Sequence, residues 1–198
     1  MTFRQLLTTK GIHFFVTRFG PSKLRSLAFD EKYRNGTWDF TGDGTGELPA
    51  LISRYLVGGN LLILGCGQCS VLEGLRHANF ASALGVDLSS EAIRVAGAFA
   101  SDKISFLVAD MLTFEPTLTF DVVLFSESLY YVPSHSLEGF LRRLSKNLNP
   151  DGVFIVTLAQ ARRYQSMLRK LRSTFTILDD HAFSTSDRHL IVFNVNGS

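Results

Sequence analysis

Several features that would place this protein in a particular class are scarce in its sequence. The 198-residue chain has two cysteines, too few for a disulfide framework, so we expect a reducing compartment. A formal net charge of +2 is too small to indicate a nucleic-acid partner. No apolar run reaches the roughly 18 residues that a membrane-spanning helix needs, and no secretory leader pattern is present. The sequence therefore predicts a soluble, cytoplasmic protein.

Acidic residues are missing from the first 29 positions, and Asp30 is the first one. Basic residues and phenylalanines alternate in that stretch. Three interpretations stay open for it: a helical arm that packs on the main domain, a basic amphipathic helix that contacts an anionic or membrane surface, or a transit peptide. The basic residues are Arg4, Lys10, Arg18, Lys23 and Arg25.

From about residue 47, short apolar runs alternate with helical stretches. Runs that are apolar on both faces indicate buried parallel strands, and the alternation predicts a doubly wound α/β domain over residues 47–198. Residues 1–46 do not follow the alternation and are predicted to form an N-terminal helical cap or lid. The predicted strands are 61–64, 81–86, 104–108, 120–125, 153–158, 175–178 and 190–195. The predicted helices are 48–56, 90–100, 137–148, 161–171 and one that begins at Ser70 with a capping-box pattern.

Residues that follow the strands are the candidates for ligand binding, because parallel strands bring their carboxyl ends to one edge of the sheet. Gly65 and Gly67 follow the first strand, and Asp87 ends the second, twenty residues after Gly67. Glycines let a cofactor approach the backbone, and a carboxylate there can accept both hydroxyls of a ribose. Asp110 and Glu127 follow the next two strands. The clustered acids favour a cationic or hydroxyl-rich ligand.

The first turn also contains the C-x-x-C pattern of Cys66 and Cys69, which is typical of thioredoxin-like redox sites. The acid-ended strands that follow serve no purpose in such a site. A zinc site is not expected either, because the chain has no second cysteine pair. The dinucleotide fingerprint is incomplete, because Ser70 stands where its third glycine would be, which argues against a nicotinamide-dependent oxidoreductase.

Five motifs occur in order and together resemble those of class I S-adenosylmethionine-dependent methyltransferases over about residues 47–196. They are "LLILGCGQC", "GVDLS", "VADM", "FDVVLFSESLYYV" and "LNPDGVFIV". "SESLYYV" and "NGTWDF" resemble, more narrowly, the nodulation-type N-methyltransferases that act on sugar amines. The resemblance implies a Rossmann-like, seven-stranded, mostly parallel sheet with an antiparallel last strand and helices on both faces.

The resemblance implies S-adenosylmethionine as the cofactor and S-adenosylhomocysteine as the product. Gly65 and Gly67 would line the methionine part, Asp87 would bind the ribose, and Asp110 would accept from the adenine amino group. The full implied set of cofactor-binding residues is Leu64, Gly65, Cys66, Gly67, Asp87, Leu88, Asp110, Met111, Ser126 and Glu127. The chain departs from the family at two positions, with Ile63 where an acid is usual and Cys69 where glycine is common.

Methyl transfer from a sulfonium is an in-line displacement, so alignment of the reactants can supply most of the rate. A base is needed only if the nucleophile carries a proton. The candidates for catalysis are Glu127, His135 and Tyr130, and those for the substrate wall or lid are Tyr33, Trp38 and Tyr131. The expected acceptor is an oxygen or nitrogen of a small molecule or saccharide. The alternative is a non-catalytic, methyltransferase-like partner protein.

Overall fold

The computed structural model describes residues 9–36, 47–183 and 186–195. The helices are α1 Lys10–Phe19, α2 Ser22–Arg34, α3 Glu47–Tyr55, α4 Val71–Gly74, α5 Ser90–Ala96, α6 Leu137–Ser145 and α7 Gln165–Thr174. Short 3-10 helices cover Gly97–Phe99, Leu129–Tyr131 and Ala161–Tyr164. The strands are β1 Asn60–Leu64, β2 Ser82–Asp87, β3 Ile104–Val108, β4 Phe120–Ser126, β5 Leu148–Ala159, β6 Thr176–Ala182 and β7 Arg188–Asn194. Within the described ranges, no helix is long and apolar enough to cross a membrane.

The seven strands form one sheet in the order β3-β2-β1-β4-β5-β7-β6. Strands β1 to β5 pair in parallel, and β7 runs antiparallel to both β5 and β6. The chain order reverses next to β1, between β2 on one side and β4 on the other. Such a reversal opens a crevice at the carboxyl ends of the strands. The predicted fold class, including the antiparallel last strand, is confirmed.

Side chains of the central strands alternate between two apolar layers. Leu62 and Leu64 of β1 belong to the layer under α6 and α7, whereas Leu61 and Ile63 belong to the layer under α3, α4 and α5. All four are at most 1% exposed. Burial on both faces explains why β1 reads as an unbroken apolar run rather than an alternating one.

The edge strand β3 differs from the buried strands, although its sequence is similarly apolar. Leu107 and Val108 are 43% and 48% exposed. The prediction that the runs are buried on both faces is therefore wrong for β3, because β3 pairs with β2 alone in the sheet.

Two local predictions are corrected. Ser70 does not cap α4: its backbone is already helical (φ −58°, ψ −22°), and a capping side chain requires an extended backbone. The helix predicted to reach Leu148 ends at Ser145, and Leu148 begins β5 instead, paired with Phe120. The register shifts beside that pair, and a Cβ on Gly152 would lie 2.9 Å from the Phe120 carbonyl oxygen.

Candidate active site

The crevice beside β1 opens into a cavity of about 640 Å³. Its walls come from the residues that follow β1, β2, β3, β4 and β5, together with α1 and α2. The volume is within the usual range for small-molecule sites.

Two glycines shape the floor of this cavity at the end of β1. Gly65 has φ +67°, and a Cβ there would lie 2.5 Å from the Cβ of Ser128. Ser128 is fixed in turn, because its hydroxyl donates to the Leu64 carbonyl oxygen. Gly67 has φ +54°, and a Cβ there would lie 2.7 Å from the Tyr33 hydroxyl oxygen. Both positions require glycine, for conformation and for space.

Non-glycine residues with left-handed backbones also line the cavity. Within the described ranges they are Cys69 (φ 60°), Glu127 (φ 53°) and Gln160 (φ 55°), and all three border the cavity. The left-handed conformation explains why glycine is common in the family at the position of Cys69. Backbone strain of this kind concentrates at functional sites.

Asp87 is buried at the end of β2, where its carboxylate holds the glycine turn. One oxygen accepts from the Gly67 backbone N–H at 2.8 Å, and the other accepts from the Ser89 N–H at 2.8 Å. Burial raises the pKa of Asp87 to about 6, although the two N–H donors favour its ionised form. The carboxylate is therefore largely ionised at neutral pH and still has lone pairs available for hydroxyl donors.

Asp110 follows β3 and forms an ion pair that the sequence analysis did not predict. Its Oδ2 accepts from Arg25 at 2.7 Å, and its Oδ1 accepts from the Leu112 N–H at 3.1 Å. The Arg25 and Asp110 side chains are only 7% and 10% exposed. An adenine amino group that binds Asp110 would therefore share the carboxylate with Arg25.

Glu127 bridges the ends of β4 and β5. Its backbone N–H donates to the Thr157 carbonyl oxygen at 3.2 Å, and its Oε2 accepts from the Ala159 N–H. Ser126 lies beside it, with its hydroxyl 3.4 Å from that of Thr157. These contacts fix the carboxylate of Glu127 at the wall of the cavity, on the opposite side of β1 from Asp87.

Aromatic rings form the wall next to Glu127. Tyr130 stacks on Tyr164 with ring centroids 4.7 Å apart and lies 4.8 Å from Tyr131. Tyr131 packs edge-on against Phe29 of α2. Burial raises the pKa of both Tyr130 and Tyr131, and the neighbouring phenols and the Glu127 carboxylate raise it further. Their phenols therefore stay protonated at neutral pH and can donate hydrogen bonds.

Polar contacts hold the two N-terminal helices against this site. Asp30 of α2 accepts from the Ser89 hydroxyl at 2.6 Å and from the Glu91 N–H at 3.2 Å. Arg18 of α1 donates to the Tyr130 carbonyl oxygen at 2.7 Å. These roles could not be predicted from the sequence, because the partners are 59 to 112 residues apart.

The structure brings most of the predicted site residues to the cavity. Those that line it are Tyr33, Gly65, Cys66, Gly67, Asp87, Leu88, Asp110, Met111, Ser126, Glu127, Tyr130 and Tyr131. Leu64 does not line the cavity, because its side chain is fully buried and its carbonyl oxygen accepts from the Ser128 hydroxyl. His135 is exposed and does not border the cavity. Trp38 lies outside the described residues, as do positions 37–46 before the predicted domain boundary. That boundary stays a prediction.

The thiols do not fit a redox site. Burial raises the pKa of Cys66 well above its usual value, whereas redox thiols need a lowered pKa. Cys66 and Cys69 are both free thiols. A Cβ on Gly85 of β2 would lie 3.1 Å from the Cys66 sulfur, so this thiol fills space beside the sheet.

Comparison with known proteins agrees with this geometry. Residues 61–152 match the family described as "Methyltransferase domain". A search of curated protein sequences finds no significant match.

Solved structures share the fold at low sequence identity. The N-methyltransferase NodS from Bradyrhizobium japonicum, with S-adenosyl-L-homocysteine, is 22% identical (TM-score 0.58), with 72% of this chain and 80% of that chain covered. The glycopeptide N-methyltransferase MtfA, with sinefungin, is 18% identical (TM-score 0.65), with 78% and 87% covered.

A third similar chain comes from a complex of the Haloferax volcanii Trm112 methyltransferase activator with a putative methyltransferase. It is 16% identical (TM-score 0.65), with 84% of this chain and 97% of that chain covered. Residues 61–152 are therefore similar to a methyltransferase domain, and the chain has the fold of the class I S-adenosylmethionine-dependent methyltransferases.

Proposed function

We propose that this protein transfers a methyl group from S-adenosylmethionine to an oxygen or nitrogen atom of a small polar molecule, such as a sugar or saccharide. The observation that carries the proposal is one cavity that joins the Gly65–Gly67 turn, the Asp87 carboxylate and the Glu127 carboxylate. Cofactor and acceptor must meet in one space for an in-line displacement, and this arrangement supplies it.

The part of the cavity between the Gly65–Gly67 turn and Asp87 fits the cofactor. The backbone turn at Gly65 and Gly67 would hold the methionine portion, and Asp87 would accept from the ribose hydroxyls. Leu88 and Met111 would flank the adenine. NodS and MtfA were solved with S-adenosyl-L-homocysteine and sinefungin, which supports the same ligand class here. When bound, the cofactor supplies a methyl carbon on a sulfonium.

The part of the cavity next to Glu127, Tyr130 and Tyr131 suits the acceptor. Glu127 can accept a proton from an acceptor hydroxyl or ammonium group, or it can orient that group by a hydrogen bond. The protonated phenols of Tyr130 and Tyr131 can donate to acceptor oxygens. We do not propose His135 as the base, because its exposed position keeps it away from the cavity.

Titration calorimetry with S-adenosylmethionine and S-adenosylhomocysteine tests the cofactor half. We expect both to bind, and Asp87→Asn to weaken binding by roughly 30-fold or more, because a neutral amide cannot replace a charged double acceptor. The matched control is Asp102→Asn, at an exposed aspartate, which should bind like the wild type. Absence of heat with either ligand would contradict the proposal.

Release of S-adenosylhomocysteine across a panel of sugars, amino sugars and small amines tests the catalytic half. We expect Glu127→Gln to lower kcat while leaving the cofactor Kd within about threefold of the wild-type value.

The second candidate function is a non-catalytic partner protein. Ile63 favours it, because this apolar side chain borders the cavity where the family usually has an acid. Binding without turnover across the panel would support this second candidate.

A further inference from the structure

Helix α1 carries an exposed aromatic face. Phe15 and Phe19 are 64% and 62% exposed, and they lie four residues apart with ring centroids 5.4 Å from each other. Phe14 beside them is 49% exposed. Three neighbouring exposed phenylalanines on one short helix form an apolar surface that a globular protein does not need for folding.

The opposite face of α1 is polar and is the face that packs on the protein. His13 and Thr17 are 8% and 3% exposed, and Thr17 donates to the His13 carbonyl oxygen at 2.7 Å. Arg25 of α2 donates to the Thr17 carbonyl oxygen. A surface helix normally turns its apolar stripe inward, so α1 has the reverse arrangement. Its phenylalanines are therefore available to an external apolar phase.

Basic residues lie beside this face. No acidic residue precedes Asp30 in the sequence, and α1 itself has none. Arg163 is exposed, and its guanidinium lies 5.6 Å from the Phe14 ring centroid. Lys23 at the start of α2 is also exposed. Aromatic residues with basic neighbours are the composition that interfacial helices use on anionic lipid.

We propose that α1 is an interfacial anchor that lies on an anionic membrane surface. The rings of Phe15 and Phe19 enter the boundary between headgroups and acyl chains, and Arg163 and Lys23 meet the anionic headgroups. A second copy of the chain fits this face less well, because a symmetric contact would bring the same basic side chains together. The inference does not depend on methyl transfer.

The anchor also sets the position of the cavity. Phe14 and Arg18 of α1 belong to the wall of the cavity as well as to the anchor helix. A chain docked through α1 therefore holds this wall of the cavity next to the lipid surface.

Co-sedimentation of the full chain with vesicles tests the proposal. The vesicles contain about one part phosphatidylserine to three parts phosphatidylcholine, and pure phosphatidylcholine vesicles are the reference. We expect binding to the anionic vesicles, weakening as salt is raised, and little binding to the reference. Phe15→Ser with Phe19→Ser should lower the partition coefficient by roughly tenfold or more.

Matched controls separate the anchor from general effects on the surface. Val57→Ser with Leu118→Ser removes two apolar side chains that are 77% and 56% exposed elsewhere, and should leave the partition coefficient unchanged. Arg163→Ala should weaken binding several-fold more than Arg169→Ala, which removes an exposed charge from α7.

Three outcomes would overturn the anchor. The first is no binding of the wild-type chain to anionic vesicles. The second is an equal loss in the phenylalanine pair and its control pair. The third is a change from dimer to monomer in the phenylalanine pair, measured by size-exclusion chromatography with light scattering, without an effect on vesicle binding. That third result would assign the face to self-association.

Discussion

The centre of the sheet is held in place by apolar burial, whereas α1 and α2 combine polar contacts with the packing of Phe29 against Tyr131. Residues of β1, β4 and β5 are enclosed between two apolar layers, and Phe154 is fully buried between the rings of Phe125 and Phe193. Polar contacts tie α1 and α2 to the rest of the chain, notably Arg25 to Asp110 and Asp30 to Ser89. Apolar burial is non-directional, whereas these contacts fix orientation.

This difference indicates that the sheet mainly provides stability, whereas α1 and α2 mainly shape the site. Among the described residues, the two apolar layers of the sheet contain no buried residue of α1 or α2. The helices, in contrast, complete the wall of the cavity and expose their phenylalanines. The polar contacts therefore set the geometry of the site more than they set the stability of the fold.

The largest expected effect comes from a substitution in the apolar core of the sheet. Phe154→Ala should lower the free energy of unfolding by about 3–5 kcal/mol, because it removes a ring with no exposed surface and leaves a cavity. Urea unfolding followed by circular dichroism measures the loss. Phe154→Leu is the control and should cost clearly less. An unchanged midpoint for the alanine variant would contradict the role assigned to this layer.

Removing a polar contact that holds α1 and α2 should give a more local effect. Arg25→Met leaves the buried Asp110 carboxylate without its cation, at a cost of about 3 kcal/mol. We expect faster hydrogen exchange in residues 10–34 with little change in residues 120–126. The double variant Arg25→Met with Asp110→Asn should recover most of the loss, because it removes the uncompensated charge. Faster exchange throughout the chain would show that the helices also support the sheet.

Asp87 lies where the two regions meet and should give a pH signature. Burial raises its pKa from 3.8 to about 6, so the folded protein keeps a proton that the unfolded chain has released. This contribution to the free energy of unfolding therefore falls as pH rises from about 4 to 6, by about 2–3 kcal/mol. Asp87→Asn should lack this pH-dependent contribution. The free energy of unfolding of the variant should therefore rise relative to that of the wild type as pH rises. Parallel pH profiles of the two proteins would contradict the raised pKa.

The smallest effect should come from the strained backbone at the end of β5. Gln160 has φ 55° and an exposed side chain, so Gln160→Gly should raise the free energy of unfolding by about 0.5–1 kcal/mol. Gln160→Ala is the matched control and should give no gain, because alanine has the same Cβ. Thermal melts of both variants measure the difference.

Residues that follow strands could be predicted from the sequence, whereas residues that depend on tertiary packing could not. Gly65, Asp87 and Glu127 were found because the ends of parallel strands converge. The same rule extends to Gln160 after β5, which the sequence analysis passed over. Arg25 and Asp30 had no such signal, because their partners come from distant parts of the chain. His135 does not follow a strand end, and its side chain is exposed.

The polar contacts of α1 and α2 also order events during synthesis of the chain. Arg18, Arg25 and Asp30 leave the ribosome before their partners, which follow 112, 85 and 59 residues later. The helices can therefore form these contacts only after Ser89, Asp110 and Tyr130 have been synthesised. Helices α1 and α2 therefore reach their place only after the strand ends that they cover have been made.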